Sequence, residues 1–409
     1  MIDVLHLSAR DNQGGAARAT YRLHKGLRAL GVDSRMLVQK KVTEDHTVRG
    51  PTGLVGSMSD HARRTLDALP VHLYRGRDGE IFSPAWLPDR LAPRIAAADP
   101  EVVNLHWVAG GFLNPKTVGR IERPTVWTLH DMWPFTGGCH YTKSCTKYEH
   151  GCEACPHLCS DDLGDLSHST WTRKHEAWGD CELTVVAPSH WLADCARDSA
   201  LFGDARIEVI PNGLDTTAFR PQHQGSAHGR FGIDEDTKLV CFGADWTTQR
   251  KGVDLLYDAL DALETPATEF TVVVFGRADE SATPETDVDV RTVGFINGED
   301  LRALYRDAAV IVVPSRQEAF GQTASEALAS GTPVVAFDAT GPRDIVDHLE
   351  TGFLAEPFDS TELARGIDWV LSDEERLARL SERARSVAEA RFDVDVVARQ
   401  YRALYDDLL

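Results

Sequence analysis

The chain has 409 residues, 42% of them hydrophobic, with 43 basic against 63 acidic side chains and a net charge of −20. That length exceeds one ordinary core and suits two domains, while the charge excludes a general nucleic-acid binder, which needs a basic face. No apolar run approaches the ~20 residues that span a bilayer.

The opening "MIDVLHLSA" carries Asp3 and no basic flank, so it reads as a first strand rather than a secretory leader. A cytoplasmic protein with free thiols is the expectation that follows. The turn "RDNQGG" comes next, then a helix in which Thr20, Leu23, Leu27 and Leu30 recur with helical spacing and Gly31 marks the end. "SRMLVQ" is the next strand. Residues 43–100, punctuated by prolines, read as a variable connection with some helix. "EVVNLHW", "TVWTLHD" and "LTVVAPS" are near-continuous apolar runs of the kind found in parallel sheets covered on both faces.

The scheme then repeats. "KLVCFGA", "FTVVVFG", "VRTVGF", "VIVVPS" and "PVVAF" are strands, separated by helices such as "GVDLLYDALDAL" and "GEDLRALYRDA". Between the halves, "IEVIPNGLDTTAFRPQHQGSAHG" is polar and rich in turn residues, a linker pattern. The last segment, 382–409, is helical with a break at Phe392 and Asp393. The expected fold class is α/β, with two Rossmann-like doubly wound domains facing a cleft. The expected domains are 1–206, 207–388 and a terminal helix 389–409 packing back toward the first.

The most informative stretch is "VPSRQEAFGQTASEALASGTPVVAF". A strand ends, a loop carries Glu318, and a helix beginning near Gln322 carries Glu326 eight residues later. Gly321 lets the backbone approach a ligand, and the first amides of the helix favour an anion. A phosphate seat with a carboxylate on either side suits a nucleotide sugar, because carboxylates accept strong hydrogen bonds from paired hydroxyls. A bare E-x7-E is more often a pair of solvated acids, so the context decides.

This segment closely resembles the E-x7-E signature of family 4 of the retaining glycosyltransferases, which have the GT-B fold. "IPNGLD", "RKGVDLLYDAL", "VVFGR", "VGF", "TGFLAEP" and "NQGGAA" resemble further elements of that family in the right order. "LHDMWPFTGGC…GC…CP" resembles a subgroup found among exopolysaccharide and colanic-acid-type gene products. The resemblance implies that Glu326 binds ribose hydroxyls and that Glu318 contacts the donor sugar. Phe320, Gly321, Gln322 and Thr323 would hold sugar and diphosphate through backbone N–H groups. Lys251, with Arg250, would neutralise the diphosphate leaving group, and Gly14 and Gly15 would let the first loop approach the phosphates. The base would sit near Gly276, Arg277 and Phe295, and His130 near the transferred sugar. In many relatives the basic partner is an arginine five residues before the lysine; here that position is Trp246, and the arginine is Arg250, adjacent to Lys251.

His130 and Asp131 follow the strand "TVWTL". A lone histidine at a strand end is usually packed or solvated, but ligands bind at the carboxyl ends of such strands, and Asp131 is the expected partner orienting the ring. His6, His24 and His106 read as structural. Gly137–Cys159 holds five of the eight cysteines. Cys139-x5-Cys145-x6-Cys152-x2-Cys155 can supply four thiolates to a structural zinc, with Cys159, His140 or His157 as substitutes. Two disulfides, free thiols or an iron–sulfur cluster fit the same spacing. A closed four-thiolate site has no open position for substrate, so a catalytic metal is not expected. Cys181, Cys195 and Cys241 read as core residues.

The leading reading is therefore a retaining, metal-independent glycosyltransferase using a UDP- or GDP-sugar and a glycan or lipid-linked glycan acceptor. No cofactor beyond a structural zinc and no nucleic acid are expected. Peripheral association with the inner face of a membrane accords with a lipid-linked acceptor, although no basic amphipathic helix stands out in the sequence. The alternatives are a non-catalytic nucleotide-sugar binder and an epimerase of the same fold. Arginine far outnumbers lysine; an acidic, lysine-poor surface suits a halophile's cytoplasm, and an ordinary acidic enzyme from a GC-rich genome has the same composition.

Overall fold

The computed structural model describes residues 2–179, 181–221, 226–245, 248–277 and 286–409; Trp246 lies outside the described residues. The chain divides into two compact units, Met1–Gly213 with Val394–Leu409, and Leu214–Asp393.

In the first unit, β1 (Asp3–Arg10), β2 (Asp33–Lys40), β3 (Val48–Arg49), β4 (Val102–Leu105), β5 (Thr125–Thr128), β6 (Leu183–Ala187) and β7 (Arg206–Val209) form one sheet. Its order is β3-β2-β1-β4-β5-β6-β7, and the pairings are parallel. β4, β5 and β6 are buried at every position, which their unbroken apolar runs require. β7 departs from the sequence reading, which placed residues 207–209 in the linker. It is an edge strand with no fully buried position, and Arg206 pairs with Glu208 at 2.9 Å along its side. Charges on an edge discourage further pairing and also hide the strand from a hydrophobicity pattern.

The second unit holds β8 (Lys238–Asp245), β9 (Phe270–Arg277), β10 (Val290–Gly294), β11 (Ala308–Val313), β12 (Val334–Phe337) and β13 (Gly352–Ala355). They form a parallel sheet in the order β10-β9-β8-β11-β12-β13. Successive residues feed opposite cores. Leu239, Cys241, Val273 and Ile311 pack on one face, and Val240, Phe242, Val272 and Val310 on the other. This is the two-residue period of a strand buried on both sides.

The chain leaves the second unit where the helix Glu374–Arg391 ends. A boundary at 388 would cut that helix. The break falls instead at Phe392 and Asp393, where Leu214 donates its N–H to the Phe392 carbonyl at 2.8 Å. The helix Val394–Leu408 then returns to the first unit. Its Val397, Ala398, Tyr401, Leu404 and Tyr405 complete a core with Val4, Leu23, Leu27 and Val102. Gly26 permits the close crossing, since a Cβ there would sit 2.9 Å from a methyl of Val394. Buried phenols need partners: Asn104 Nδ2 donates to Tyr405 Oη at 2.7 Å, and Thr128 Oγ1 pairs with Tyr401 Oη at 3.1 Å. Among the described residues no helix is long and apolar enough to cross a membrane.

Candidate active site

Both sheets reverse their strand order once, between β1 and β4 in the first unit and between β8 and β11 in the second. Open parallel sheets bind ligands beyond the carboxyl ends of the strands at such reversals. The loops after β8 and β11 carry Lys251 and Glu318; the loops after β1 and β4 carry Gly14 and His106.

In the second unit, a 3-10 turn Gln249–Lys251 is capped by the Thr248 side chain and closed by Gly252 at φ +67°. A Cβ on Gly252 would lie 1.9 Å from the Pro314 carbonyl oxygen, so only glycine lets this turn press against the end of β11. Arg316 fastens the two loops together. It donates its N–H to the Arg250 carbonyl at 2.8 Å and its guanidinium to Asp254 at 2.8 and 2.6 Å. Glu318 Oε1 then meets Lys251 Nζ directly, Arg250 Nη1 at 3.1 Å and Ser315 Oγ at 3.2 Å. Burial pushes the Glu318 carboxyl up, but Lys251 and Arg250 outweigh it and hold the pKa at about 2. Arg250 therefore reaches the same carboxylate as Lys251.

Beside this cluster starts the helix Gln322–Ala329. Gly321 precedes it at φ +112°, and no side chain caps its amides. Glu326 lies inside the unit, 4% exposed, with Tyr305 Oη 3.5 Å from its carboxylate. Neither acid of the E-x7-E pair is a solvated surface group. Phe320 points into the core against Phe392, leaving its backbone to face the loop, while Gln322 and Thr323 are half-buried. Gly276, at φ +110°, and the exposed Arg277 end β9. Phe295, 72% exposed, follows β10. A separate cavity of about 1170 Å³ opens beside the amino-terminal ends of β9 and β10, lined by Asp261, Glu264, Asp287 and Asp289 among others, without any lysine or arginine. An anion is repelled by such a lining.

In the first unit, Gly14 at φ +96° leads into the helix Gly15–Ala29, again with no side-chain cap, and a Cβ at Gly14 would meet open space. His130 is held by a feature absent from the sequence reading. Its Nε2 pairs with His106 Nδ1 at 3.1 Å, and His106 Nε2 pairs with His6 Nδ1 at 2.9 Å. Three imidazoles from three neighbouring strands form one hydrogen-bonded row. The expected orienting role of Asp131 is corrected: its carboxylate accepts from His140 Nδ1 at 2.6 Å, Trp107 Nε1 at 2.8 Å and the Trp133 N–H at 3.0 Å. Asp131 orders the loop, and His106 orders His130. Burial lowers the pKa of His130 to about 4, with Asp131 opposing, and lowers those of His6 and His106 well below the ordinary value. The row is neutral at pH 7. The signal was present as Leu5-His6, Leu105-His106 and Leu129-His130, one Leu-His pair on or just after each of three adjacent strands.

The cysteine-rich segment packs in the same unit. Cys139, Cys145, Cys152 and Cys155 all line one cavity of about 10 Å³, roughly the room one water needs. All four are free thiols. Gly137 donates its N–H to Cys152 Sγ at 3.0 Å, and Cys155 receives the amides of His157 and Leu158. Burial pushes the Cys152 thiol up to about 12 and the Cys155 thiol to about 11. Among the described residues, no group of three or more His, Cys, Asp or Glu side chains is gathered to hold a metal ion. His140 and His157 are unsuited as substitute ligands, because both ring nitrogens of each are engaged. His140 bonds Asp131 and Ser83; His157 bonds Asp78 and the Thr142 carbonyl. Cys159 is exposed.

Two α/β units, each built on a parallel sheet, give a two-domain fold of the GT-B glycosyltransferase type. Comparison with solved structures agrees. Sucrose-phosphate synthase of Thermosynechococcus elongatus aligns over 100% of this chain and 99% of its own with a TM-score of 0.69 at 19% identity. Anabaena HepE, solved with UDP and glucose, aligns over the full length of both at 0.65 and 19%. Residues 13–218 match the model for glycosyltransferase family 4 and residues 225–387 that for glycosyl transferases group 1. The chain belongs to glycosyltransferase family 4. A D-inositol 3-phosphate glycosyltransferase of Xylanimonas cellulosilytica is 34% identical over 241 residues, 53% of this chain and 57% of that protein. An uncharacterized glycosyltransferase of Methanocaldococcus jannaschii is 30% identical over 230 residues, 54% and 57%. The lipopolysaccharide core mannosyltransferase LpcC of Rhizobium leguminosarum is 32% identical over 222 residues, 52% and 62%. The chain thus spans a little over half the length of these curated relatives.

The two units are expected to lose stability in acid over different ranges. A histidine whose folded pKa is depressed favours folding above its unfolded value of 6.5, and that advantage drains away as pH falls toward about 4 for His130. Glu318 stabilises above its unfolded value of 4.5 and loses its contribution as pH falls toward about 2. Each shift corresponds to on the order of 3 kcal/mol. Seven of the nine tryptophans fall within residues 1–213, so tryptophan fluorescence should report the earlier loss. Circular dichroism melts of Glu318→Gln should show the second unit weakened at pH 7 and equal to wild type near pH 2. A variant as stable as wild type at pH 7 would contradict the assignment.

Proposed function

We propose that this protein is a retaining glycosyltransferase that moves a sugar from a UDP- or GDP-linked donor to a glycan or lipid-linked glycan, in polysaccharide or surface-glycan synthesis at the cytoplasmic face of a membrane. The observation that carries the reading is the Lys251–Arg250–Glu318 cluster beside an uncapped helix N-terminus at the strand-order reversal. The resemblance of the segment "LHDMWPFTGGC…GC…CP" to an exopolysaccharide-type subgroup and the acid-rich composition are consistent with surface-polymer synthesis in a salty cytoplasm.

The chemistry follows from charge. Breaking the anomeric C–O bond leaves negative charge on the diphosphate and oxocarbenium character on the sugar. Lys251, Arg250 and the helix amides stabilise that leaving group, so no metal is required. Without donor, both cations rest on Glu318. A diphosphate competes for them, and the released carboxylate accepts a hydrogen bond from a donor-sugar hydroxyl. Buried Glu326 is suited to paired ribose hydroxyls. The acceptor hydroxyl attacks the anomeric carbon on the face the diphosphate leaves, and its proton passes to the departing phosphate oxygen. Configuration is retained without an enzyme nucleophile. His130, neutral and fixed through His106, offers a hydrogen bond to the transferred sugar.

Lys251→Ala should lower turnover by on the order of 10²-fold or more, as the loss of a charged leaving-group stabiliser does. A thermal-shift screen of UDP-, GDP- and ADP-sugars should single out one base by a raised melting temperature. NMR of the product should show the donor's anomeric configuration. Near-normal turnover in the variant, or an inverted product, would sink the mechanism.

The cysteine segment is assigned a structural zinc held by Cys139, Cys145, Cys152 and Cys155. The four cysteines lining one small cavity and the amide directed at the Cys152 sulfur support it. The sulfurs must draw together on binding, which couples metal to local order. Elemental analysis should find about one zinc per chain in the wild type and little in Cys152→Ser, with a lower melting temperature for the variant. A metal-free wild type of equal stability would remove the assignment.

A further inference from the structure

The helix Gly53–Ala68 is built inside out. Its buried positions are Gly56, Asp60 and Asp67. Its outward positions include Leu54, Val55 and Met58, which are 77%, 73% and 64% exposed, and Leu66. Val55, Met58, Ala62 and Leu66 recur every three or four residues and so share one face. Leu69 and Leu73, the latter 82% exposed, continue the apolar surface through the following 3-10 turn. Of the fourteen exposed large apolar side chains among the described residues, eight fall within residues 54–86. Single exposed leucines need no explanation, but a concentrated stripe marks an interaction surface.

The carboxylates explain how the fold sustains this arrangement. Asp60 accepts from Arg10 Nη2 at 2.6 Å and Gln39 Nε2 at 3.0 Å. The Asp67 carboxyl accepts the backbone N–H groups of Ala85 and Trp86, and Trp86 Nε1 donates to the Asp67 main-chain carbonyl at 3.1 Å. The helix is anchored through its polar side, and its apolar side is left outward. Turning the acids inward also changes the local charge. Arg64 and Arg75 are both exposed along the segment, on a chain whose net charge is −20. An apolar face flanked by cations on long side chains is the pattern of a helix lying in a membrane interface, apolar side in the acyl boundary and cations at the headgroups.

We propose that residues 53–75 dock the first unit on an anionic lipid bilayer. Charge complementarity selects this occupant over a second copy of the chain. Two copies meeting here would oppose like cationic flanks on two strongly negative bodies, whereas an anionic sheet neutralises those flanks within the ~10 Å over which charge acts. This assigns a surface to the membrane-face placement proposed above and does not rest on the donor chemistry.

The test is co-sedimentation of the full chain with extruded vesicles of equal parts phosphatidylglycerol and phosphatidylcholine, and with pure phosphatidylcholine vesicles. Wild type should pellet with the anionic vesicles, less so at higher salt, and weakly with the neutral ones. Val55→Asp with Met58→Asp should cut partitioning at least about tenfold, and Arg64→Glu with Arg75→Glu should remove the salt dependence. These side chains face outward, so melting temperature and UDP-sugar thermal shift should match wild type; Leu73→Asp, beyond the helix, serves if the double variant misfolds. No binding to anionic vesicles, equal binding to neutral ones, or unaltered binding by the variants overturns the proposal. A dimer in sedimentation velocity that Val55→Asp dissolves would do the same and assign the face to a second copy.

Discussion

The second unit is organised around one carboxylate between two cations. Glu318 takes Lys251 and Arg250 together in a half-buried site. Taking three charges out of solvent is costly, and the pairing offsets that cost only while the geometry is held. The surrounding sequence serves that geometry. Gly252 adopts the left-handed conformation that lets one loop touch Pro314, and Arg316 ties the same loop to Asp254. Gly341 approaches Phe320 so closely that any Cβ would collide with its backbone. The result is a pair of cations held in position; under the proposed function they meet the leaving group preorganised, which is where electrostatic catalysis gets its advantage over water.

The first unit reaches rigidity by a different route. His130 is fixed by a row of neutral imidazoles rather than by a carboxylate, and burial keeps the row uncharged. The strands that carry the row are braced from the far end of the chain. Asn104, two residues before His106, bonds Tyr405, and Thr128, two residues before His130, bonds Tyr401. The C-terminal helix is therefore part of the support of the histidine row as well as of the core. Neutral hydrogen-bonded rows transmit orientation without the repulsion that three charged rings would suffer.

What was legible in the sequence follows from the range of the forces involved. Buried parallel strands announce themselves as apolar runs, so β4 to β6, β8, β9, β11 and β12 could be read directly. The E-x7-E spacing also survives, because a strand-loop-helix segment keeps its two acids at fixed positions along one short stretch. β7 did not, since an edge strand such as Arg206–Val209 needs no apolar run. Asp131 was assigned to His130 by adjacency in sequence, but the loop turns its carboxylate toward His140 and Trp107, which no local pattern reveals. The His6–His106–His130 row depends on the order of strands in the sheet. Each Leu-His pair looks like an isolated core histidine until the topology sets the three side by side.

The helix Gly53–Ala68 shows the same limit from the other side. Amphipathic periodicity says that a helix has two unlike faces; it does not say which one turns inward. Here Arg10 and Gln39 donate to the Asp60 carboxylate and the backbone N–H groups of Ala85 and Trp86 to that of Asp67, and that tertiary choice leaves the apolar face outward. Net charge misleads in a related way. A value of −20 excludes partners that need a broad basic surface, yet beyond about 10 Å the distant acids are screened, and a bound anion feels mainly the groups beside it. Lys251 and Arg250 form one such local exception, and the flanks of the inverted helix form another. For both, the governing quantity is the charge within a few ångströms of the contact, which composition averages away and which the fold restores.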